Sequence, residues 1–142
     1  MNAIGRIAAL GAVAGLPLLA LACANSTPTT PTQTPAAPTA TEHYAGTLTV
    51  GSSGFYSFSV SQYGTVNVTL GRVTGVDDPA VMLGLALGVP TGFGCSGNGI
   101  TTSAGSDPQI TNLFAPGVYC VRLSDVGNLT GPAQFDVTIA HP

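Results

Sequence analysis

The sequence predicts an all-β protein whose domain is an antiparallel β-sandwich of seven or eight strands. Glycine is abundant, with 19 residues among 142, and β-branched residues fill the apolar runs, a composition that favours strands and tight turns over helices. Short stretches alternate between apolar and polar residues, as half-buried strands do. Turn residues recur at intervals of roughly 8 to 15 residues, which is typical of a sandwich.

Residues 1–22 are predicted to be an export signal. Arg6 supplies a positive charge near the start, and residues 7–22 form an apolar run of 16 residues that is interrupted only by glycines and Pro17. A membrane span needs about 20 residues, so this run is short for one. We therefore expect a cleaved signal peptide rather than an uncleaved signal anchor.

The export signal ends at Ala20-Leu21-Ala22-Cys23, which fits two processing routes. It is an A-x-A site for ordinary signal peptidase. It also resembles a bacterial lipobox, in which the cysteine becomes lipidated, although Ala20 stands where leucine is usual. The resemblance implies a lipid on Cys23 and, because Ala24 follows, anchoring in the outer membrane. The alternative is a secreted protein whose signal happens to end at a cysteine.

Residues 23–41 comprise Cys23 and a predicted disordered linker. From residue 24 onward the linker holds seven Thr, four Pro and four Ala, with no charged or aromatic residue, so it cannot build a core. Its prolines favour an extended chain of about 3.1 Å per residue, or roughly 55 Å in total. We interpret it as a spacer that lifts a domain off a membrane, with a neutral leader of no selected length as the alternative.

The first half of the domain, which spans residues 42–142, contains four predicted strands, at residues 44–50, 55–61, 65–71 and 80–87. The second and third alternate cleanly, and their inward faces carry Tyr56, Phe58, Val60, Val66, Val68 and Leu70. The fourth is nearly all apolar, which indicates a central strand that is buried on both faces. It follows a predicted loop at residues 73–79.

The second half contains three predicted strands, at residues 109–114, 115–123 and 133–140. Residues 88–107 are rich in Gly and Ser and are predicted to be a long loop; if that loop contains a strand, the sandwich has eight. In the strand at 115–123, Tyr119, Val121 and Leu123 alternate toward the core. We therefore expect Cys120 to face outward.

Four stretches resemble the pre-peptidase C-terminal (PPC) domain of secreted bacterial proteins. They are Phe55-Tyr56-Ser57-Phe58-Ser59-Val60, Gly64-Thr65-Val66-Asn67-Val68-Thr69-Leu70, Asp77-Asp78 before Val81-Met82-Leu83, and Ala115-Pro116-Gly117-Val118-Tyr119-Cys120-Val121-Arg122-Leu123. The resemblance implies a jelly-roll-like sandwich that is usually non-catalytic, with calcium or polymer binding in some members. PPC domains often accompany proteases, so a hydrolase accessory domain is a remote alternative.

Charge is sparse in this chain. Only 6% of residues are charged, lysine is absent, and three arginines stand against six acids. Nucleic-acid binding requires clustered cations to neutralise phosphates. We therefore expect no nucleic-acid partner.

Asp77 and Asp78 form the only dense charge and are the candidate metal ligands. Calcium takes six to eight oxygens, so Asp107 or Asp125 would have to converge on them. The corresponding PPC loop more often reads D-x-D, whereas here the aspartates are adjacent. The alternative is a turn in which the aspartates cap their own backbone. A calcium ion is the only cofactor that the sequence suggests.

Three cysteines in an exported chain leave one unpaired. If Cys23 carries lipid, Cys95 and Cys120 remain to form a disulfide, as expected in an oxidising compartment. The bridge would close a loop of about 25 residues and contribute about 3 kcal/mol.

Catalytic and ligand-binding residues are hard to find. His43 and His141 lie near the two ends of the domain without an associated nucleophile, so we expect exposed terminal histidines and no enzyme. Sugar binding by stacking requires exposed aromatic rings. Tyr44, Phe55, Tyr63 and Phe93 fall outside the inward faces, and we take Tyr63 and Phe93 as the candidate ligand-binding residues.

These observations predict an exported, membrane-tethered, non-catalytic lipoprotein that serves as a binding or structural module of the cell envelope. Its expected partners are the membrane, through the N-terminal lipid, and a polysaccharide or envelope protein. The alternative is a small polysaccharide- or calcium-binding module.

Overall fold

The computed structural model describes residues 32–78 and 80–142. Within them the chain consists of eight strands in two four-stranded antiparallel sheets, without a helix, which confirms the predicted all-β sandwich class. No helix in these residues is long and apolar enough to cross a membrane. The predicted signal peptide, Cys23 and most of the predicted linker lie outside the described residues.

The strands are β1 (Ala40–Leu48), β2 (Ser53–Val60), β3 (Gly64–Thr74), β4 (Leu83–Thr91), β5 (Gly94–Thr102), β6 (Ile110–Phe114), β7 (Gly117–Asp125) and β8 (Ala133–His141). Sheet A has the order β1-β8-β3-β6, and sheet B has the order β2-β7-β4-β5. Consecutive strands therefore often lie in different sheets, so most contacts join residues distant in sequence.

The core contains the apolar residues that alternation predicted. Buried side chains come from both sheets and include Phe58, Val60, Val66, Val68, Leu70, Val121, Leu123, Phe135, Val137 and Ile139. Leu83, Leu85 and Leu87 add the inner face of β4, which lies in the middle of sheet B as predicted. Strands β3, β4 and β8 thus contribute to the core through every second residue, as the pleat of a strand requires, whereas β5 contributes none of the core residues.

The prediction of a long loop at residues 88–107 is wrong, because this stretch contains the end of β4 and all of β5. These two strands form a hairpin in which Gly88 lies opposite Gly97. A side chain on Gly88 would collide with the backbone of Ser96, so the close approach requires glycine. Gly and Ser carry little strand propensity, which is why the sequence pattern failed to indicate this strand.

The start of the domain also differs from the prediction, since β1 begins at Ala40 rather than at residue 44. The Ala36 amide donates to the Tyr63 carbonyl at 2.9 Å, and the Thr65 amide donates to the Ala36 carbonyl at 2.9 Å. The Thr39 amide donates to the His141 carbonyl at 3.0 Å. The last residues of the predicted disordered linker are therefore bonded to the domain.

The connections between strands lie at two opposite ends of the sandwich. The register requires this, because Val60 pairs with Gly117 and Gly64 pairs with Phe114. The entry end, as we call it, comprises residues 32–39, 61–63, 92–93 and 115–116. The acidic end comprises Asp125, at the end of β7, and residues 49–52, 75–78, 80–82, 103–109 and 126–132.

Candidate functional site

The predicted disulfide between Cys95 and Cys120 is present, with 5.8 Å between the two Cα atoms. It joins β5 to β7 across the end of β4, where Gly88 lies opposite Cys120. It therefore braces the β4–β5 hairpin rather than a loop. Cys120 alternates with the core residues of β7 and lies outside the core cluster, as its predicted outward orientation requires, although the bridged residue itself is fully buried, at 0% exposure.

The outer face of sheet B carries mostly small side chains and one shallow groove. Gly84, Ala86 and Gly99 lie next to one another on β4 and β5 and line the groove, which has a volume of about 320 Å³. Arg122 and Thr101 also line it. A Cβ atom on Gly84 would lie 2.5 Å from the Ser124 hydroxyl oxygen, so a side chain there would require the Ser124 side chain to move.

Arg122 is the single cation on the strands of sheet B. It pairs with Phe55 on one side and Ala86 on the other. Within residues 32–78 and 80–142 its guanidinium makes no ion pair. Phe55 is 38% exposed beside it, so the face presents an aromatic ring and an unpaired positive charge together. Such a pair suits a ligand that has both an apolar surface and a negative charge.

Asp125 has both carboxylate oxygens occupied by backbone amides. Its Oδ2 accepts from the Gly51 amide at 2.8 Å, and its Oδ1 accepts from the amides of Gly127, Asn128 and Leu129. The hydrogen bond from the Gly51 amide is the largest cause that lowers the pKa of Asp125 below its ordinary value. Desolvation opposes this shift, and the hydrogen bonds from the other three amides add to it. Asp125 thus ties the β1–β2 turn to the β7–β8 connection.

The candidate metal ligands do not come together with further carboxylates. Asp77 and Asp78 are exposed, and Asp78 Oδ1 accepts from the Ala80 amide at 2.8 Å, which is the self-capped turn that the sequence left as the alternative. Among the described residues no three His, Cys, Asp or Glu side chains are grouped so that they could hold a metal ion. Asp107 and Asp125 do not converge on the pair.

Tyr63 and Phe93, the candidate ligand-binding residues, both lie at the entry end. Phe93 is at the apex of the β4–β5 hairpin and is fully exposed, at 103%. Tyr63 is half-buried in the β2–β3 turn. Neither ring stacks on another aromatic ring in the described part of the chain.

Tyr44, in contrast, packs against the core and is not an exposed binding residue. Its ring lies 4.9 Å from Phe135, edge to face, and 5.8 Å from Tyr56, stacked. Tyr44 is half-buried, and this burial raises the pKa of its hydroxyl.

A second cluster of polar side chains escaped the sequence analysis. The Nε2 atom of His141 lies 3.0 Å from Glu42 Oε1, and the Tyr56 hydroxyl donates a hydrogen bond to Glu42 Oε2 at 2.6 Å. The hydrogen bond to Glu42, its charge and then desolvation raise the pKa of Tyr56. The prediction of exposed histidines is wrong for His141, which is 5% exposed. It is right for His43, which is exposed and lies 3.4 Å from Asp136.

The groove beside Arg122 and the hairpin that carries Phe93 are thus both open to a ligand or partner. The Glu42 cluster is instead structural, because its three side chains satisfy one another and join sheet A to sheet B. Comparison with protein-family models gives no match for this chain, and no curated protein sequence matches it.

Proposed function

We propose that this chain is an exported, lipid-anchored, non-catalytic β-sandwich module of the cell envelope, which acts by binding or by structural support. The observation that carries the proposal is the disulfide between Cys95 and Cys120. Disulfides persist in oxidising compartments outside the cytosol, so the bridge supports export. It also accounts for two of the three cysteines and leaves Cys23, at the end of the apolar N-terminal run, as the unpaired one.

A lipid on Cys23 gives the unpaired cysteine a role. Each buried methylene of an acyl chain adds about 0.8 kcal/mol, and stable anchoring takes more than one chain. The lipobox-like sequence that ends at Cys23, with Ala24 after it, supports anchoring in an outer membrane. The PPC-like stretches support a module that binds rather than catalyses.

Intact mass spectrometry of the full chain, expressed in a bacterium that processes lipoproteins, tests the anchor. We expect a mature protein that begins at Cys23, carries a diacylglyceryl group and sediments with membranes. Cys23→Ser should abolish both the lipid mass and the sedimentation. The double variant Cys95→Ser/Cys120→Ser is the matched control and should keep both. A mature protein with a free, unmodified Cys23 would contradict the proposal.

A second candidate function is the binding of an acidic polysaccharide, and the groove beside Arg122 favours it. A guanidinium pairs with carboxylate or sulfate groups in a bidentate manner, and the neighbouring Phe55 ring offers a surface on which a sugar can stack. No acid on the strands of sheet B competes for Arg122, because the carboxylate of Asp125 is held by backbone amides.

The matched test compares two arginines on opposite sheets. Arg122→Gln should abolish the retention of the protein on a uronic-acid polymer, whereas Arg72→Gln should leave it unchanged, because Arg72 lies on sheet A opposite Asp136. A neutral glucan serves as the control polymer. Equal retention of both variants, or equal binding to the neutral polymer, would rule out this site.

A further inference from the structure

We propose that the entry end of the sandwich rests on the lipid bilayer, with Phe93 inserted at the lipid–water interface. This inference rests on the proposed function, because the lipid on Cys23 is what brings the domain to the membrane. It adds an orientation and a second, protein-borne contact with the lipid. Three independent features of the described residues lead to it.

The first feature is the separation of charge between the two ends. The connecting segments of the entry end contain no charged residue, and Glu42, which lies near this end on β1, is bound by His141 and Tyr56. Asp77, Asp78, Asp107 and Asp125 all lie at the acidic end. Membrane surfaces that contain acidic lipids carry a negative potential, which repels carboxylates within about a Debye length. The entry end, which has fewer carboxylates, can therefore approach a bilayer with less of this repulsion, and the acidic end is directed away from it.

The second feature is the exposed aromatic ring. Phe93 lies at the hairpin apex with its side chain wholly in solvent, and Gly92 beside it adopts a φ of 57°, which favours glycine. The disulfide at Cys95 fixes the base of the hairpin only two residues away. Val89 and Val118 at the same end are about half-exposed. A preformed apolar tip loses little conformational freedom when it enters the interface of a bilayer.

The third feature is the position of the tether. Ala36 is hydrogen-bonded to Tyr63 in the β2–β3 turn and to Thr65 at the start of β3, so the described chain enters the domain at the entry end. Only residues 24–35 separate Cys23 from this attachment, and an extended chain of that length reaches roughly 37 Å at about 3.1 Å per residue. The lipid thus holds Phe93 near the bilayer at a high effective concentration, and even a weak contact then forms.

The absence of tryptophan from the chain allows a direct test. Phe93→Trp places a single fluorophore at the entry end, and Val50→Trp places one in the β1–β2 turn at the acidic end, where Val50 is 56% exposed. Each lipidated full-length variant is reconstituted into vesicles of phosphatidylethanolamine and phosphatidylglycerol. We expect a blue-shifted emission that brominated lipids quench for Phe93→Trp, and an unshifted, unquenched emission for Val50→Trp.

The outcomes separate this inference from the proposed function. A protein that does not float with the vesicles and lacks the lipid mass would overturn both. A protein that floats, with the Phe93→Trp emission unshifted or with both variants quenched equally, would overturn the inference alone. A blue shift that brominated lipids do not quench, and that grows with protein density in the vesicle, would assign the entry end to a second copy of the chain and would also overturn it.

Discussion

His141 Nε2 lies 3.0 Å from Glu42 Oε1 and joins the end of β8 to the start of β1 across 99 residues of sequence. The other Glu42 oxygen accepts from Tyr56 on β2, so one carboxylate connects the two sheets. The Phe58 ring lies 5.3 Å from the His141 ring and covers it from the core side. The same region receives the chain from residue 39, whose amide donates to the His141 carbonyl. The entry of the chain into the domain is thus braced by a polar cluster.

Between neutral and alkaline pH, the Glu42→Gln variant should lose less stability than the native protein does. In the native protein Glu42 raises the pKa of Tyr56, so the stabilisation from protonated Tyr56 is complete below the pKa of an unfolded tyrosine, about 10, and is lost as pH rises through the higher folded pKa. Without the Glu42 charge this loss becomes smaller. Melting temperatures of both proteins from neutral to alkaline pH measure this loss of stability. Parallel curves of melting temperature against pH for the two proteins would contradict the prediction.

Asp125→Asn should lower the melting temperature at neutral pH, because an amide nitrogen cannot accept from the backbone amides that the carboxylate binds. The lowered pKa of Asp125 gives a stabilisation that is present above the pKa of an unfolded aspartate, about 3.9, and is lost as pH falls through the lower folded pKa. The variant should therefore lose less stability in acid. Asp107→Asn, at an exposed aspartate, is the control and should behave like the native protein.

Removal of the disulfide in Cys95→Ser/Cys120→Ser should cost about 3 kcal/mol in the free energy of unfolding under oxidising conditions, through the loop entropy of the unfolded chain. Urea denaturation measures this cost. Under reducing conditions the native protein should fall to the level of the variant. Equal stability in oxidising buffer would mean that the bridge does not form.

Gly88→Ala should destabilise the domain by about 1 to 3 kcal/mol, because the added methyl group meets the backbone of β5 and the hairpin must open. Gly131→Ala is the matched control, since a side chain there meets nothing within 4 Å, and it should be nearly neutral. Chemical denaturation of the two variants compares them. A neutral Gly88→Ala would show that β4 and β5 do not pack as closely as described.

Alternation alone located most of the core. Val66, Val68 and Leu70 on one strand and Phe135, Val137 and Ile139 on another are buried as their spacing predicts, because a strand turns every second side chain to the same face. The hairpin of β4 and β5 could not be predicted in the same way. Its outer strand is rich in Gly and Ser, so it lacks an apolar face, and its stability comes from the neighbouring β4 and the disulfide.

The candidate site residues could likewise be predicted from the sequence only in part. The sequence alone identified the disulfide partners, because three cysteines and a lipobox-like end of the export signal left one pair. It also identified Phe93 as an aromatic residue outside the inward faces of the predicted strands. Only the tertiary structure decided that His141 is buried against Glu42, that Asp125 binds four backbone amides, and that Phe93 lies at the same end of the sandwich as the entering chain. Each of these depends on which strands become neighbours, and that pairing is set by contacts between segments far apart in sequence.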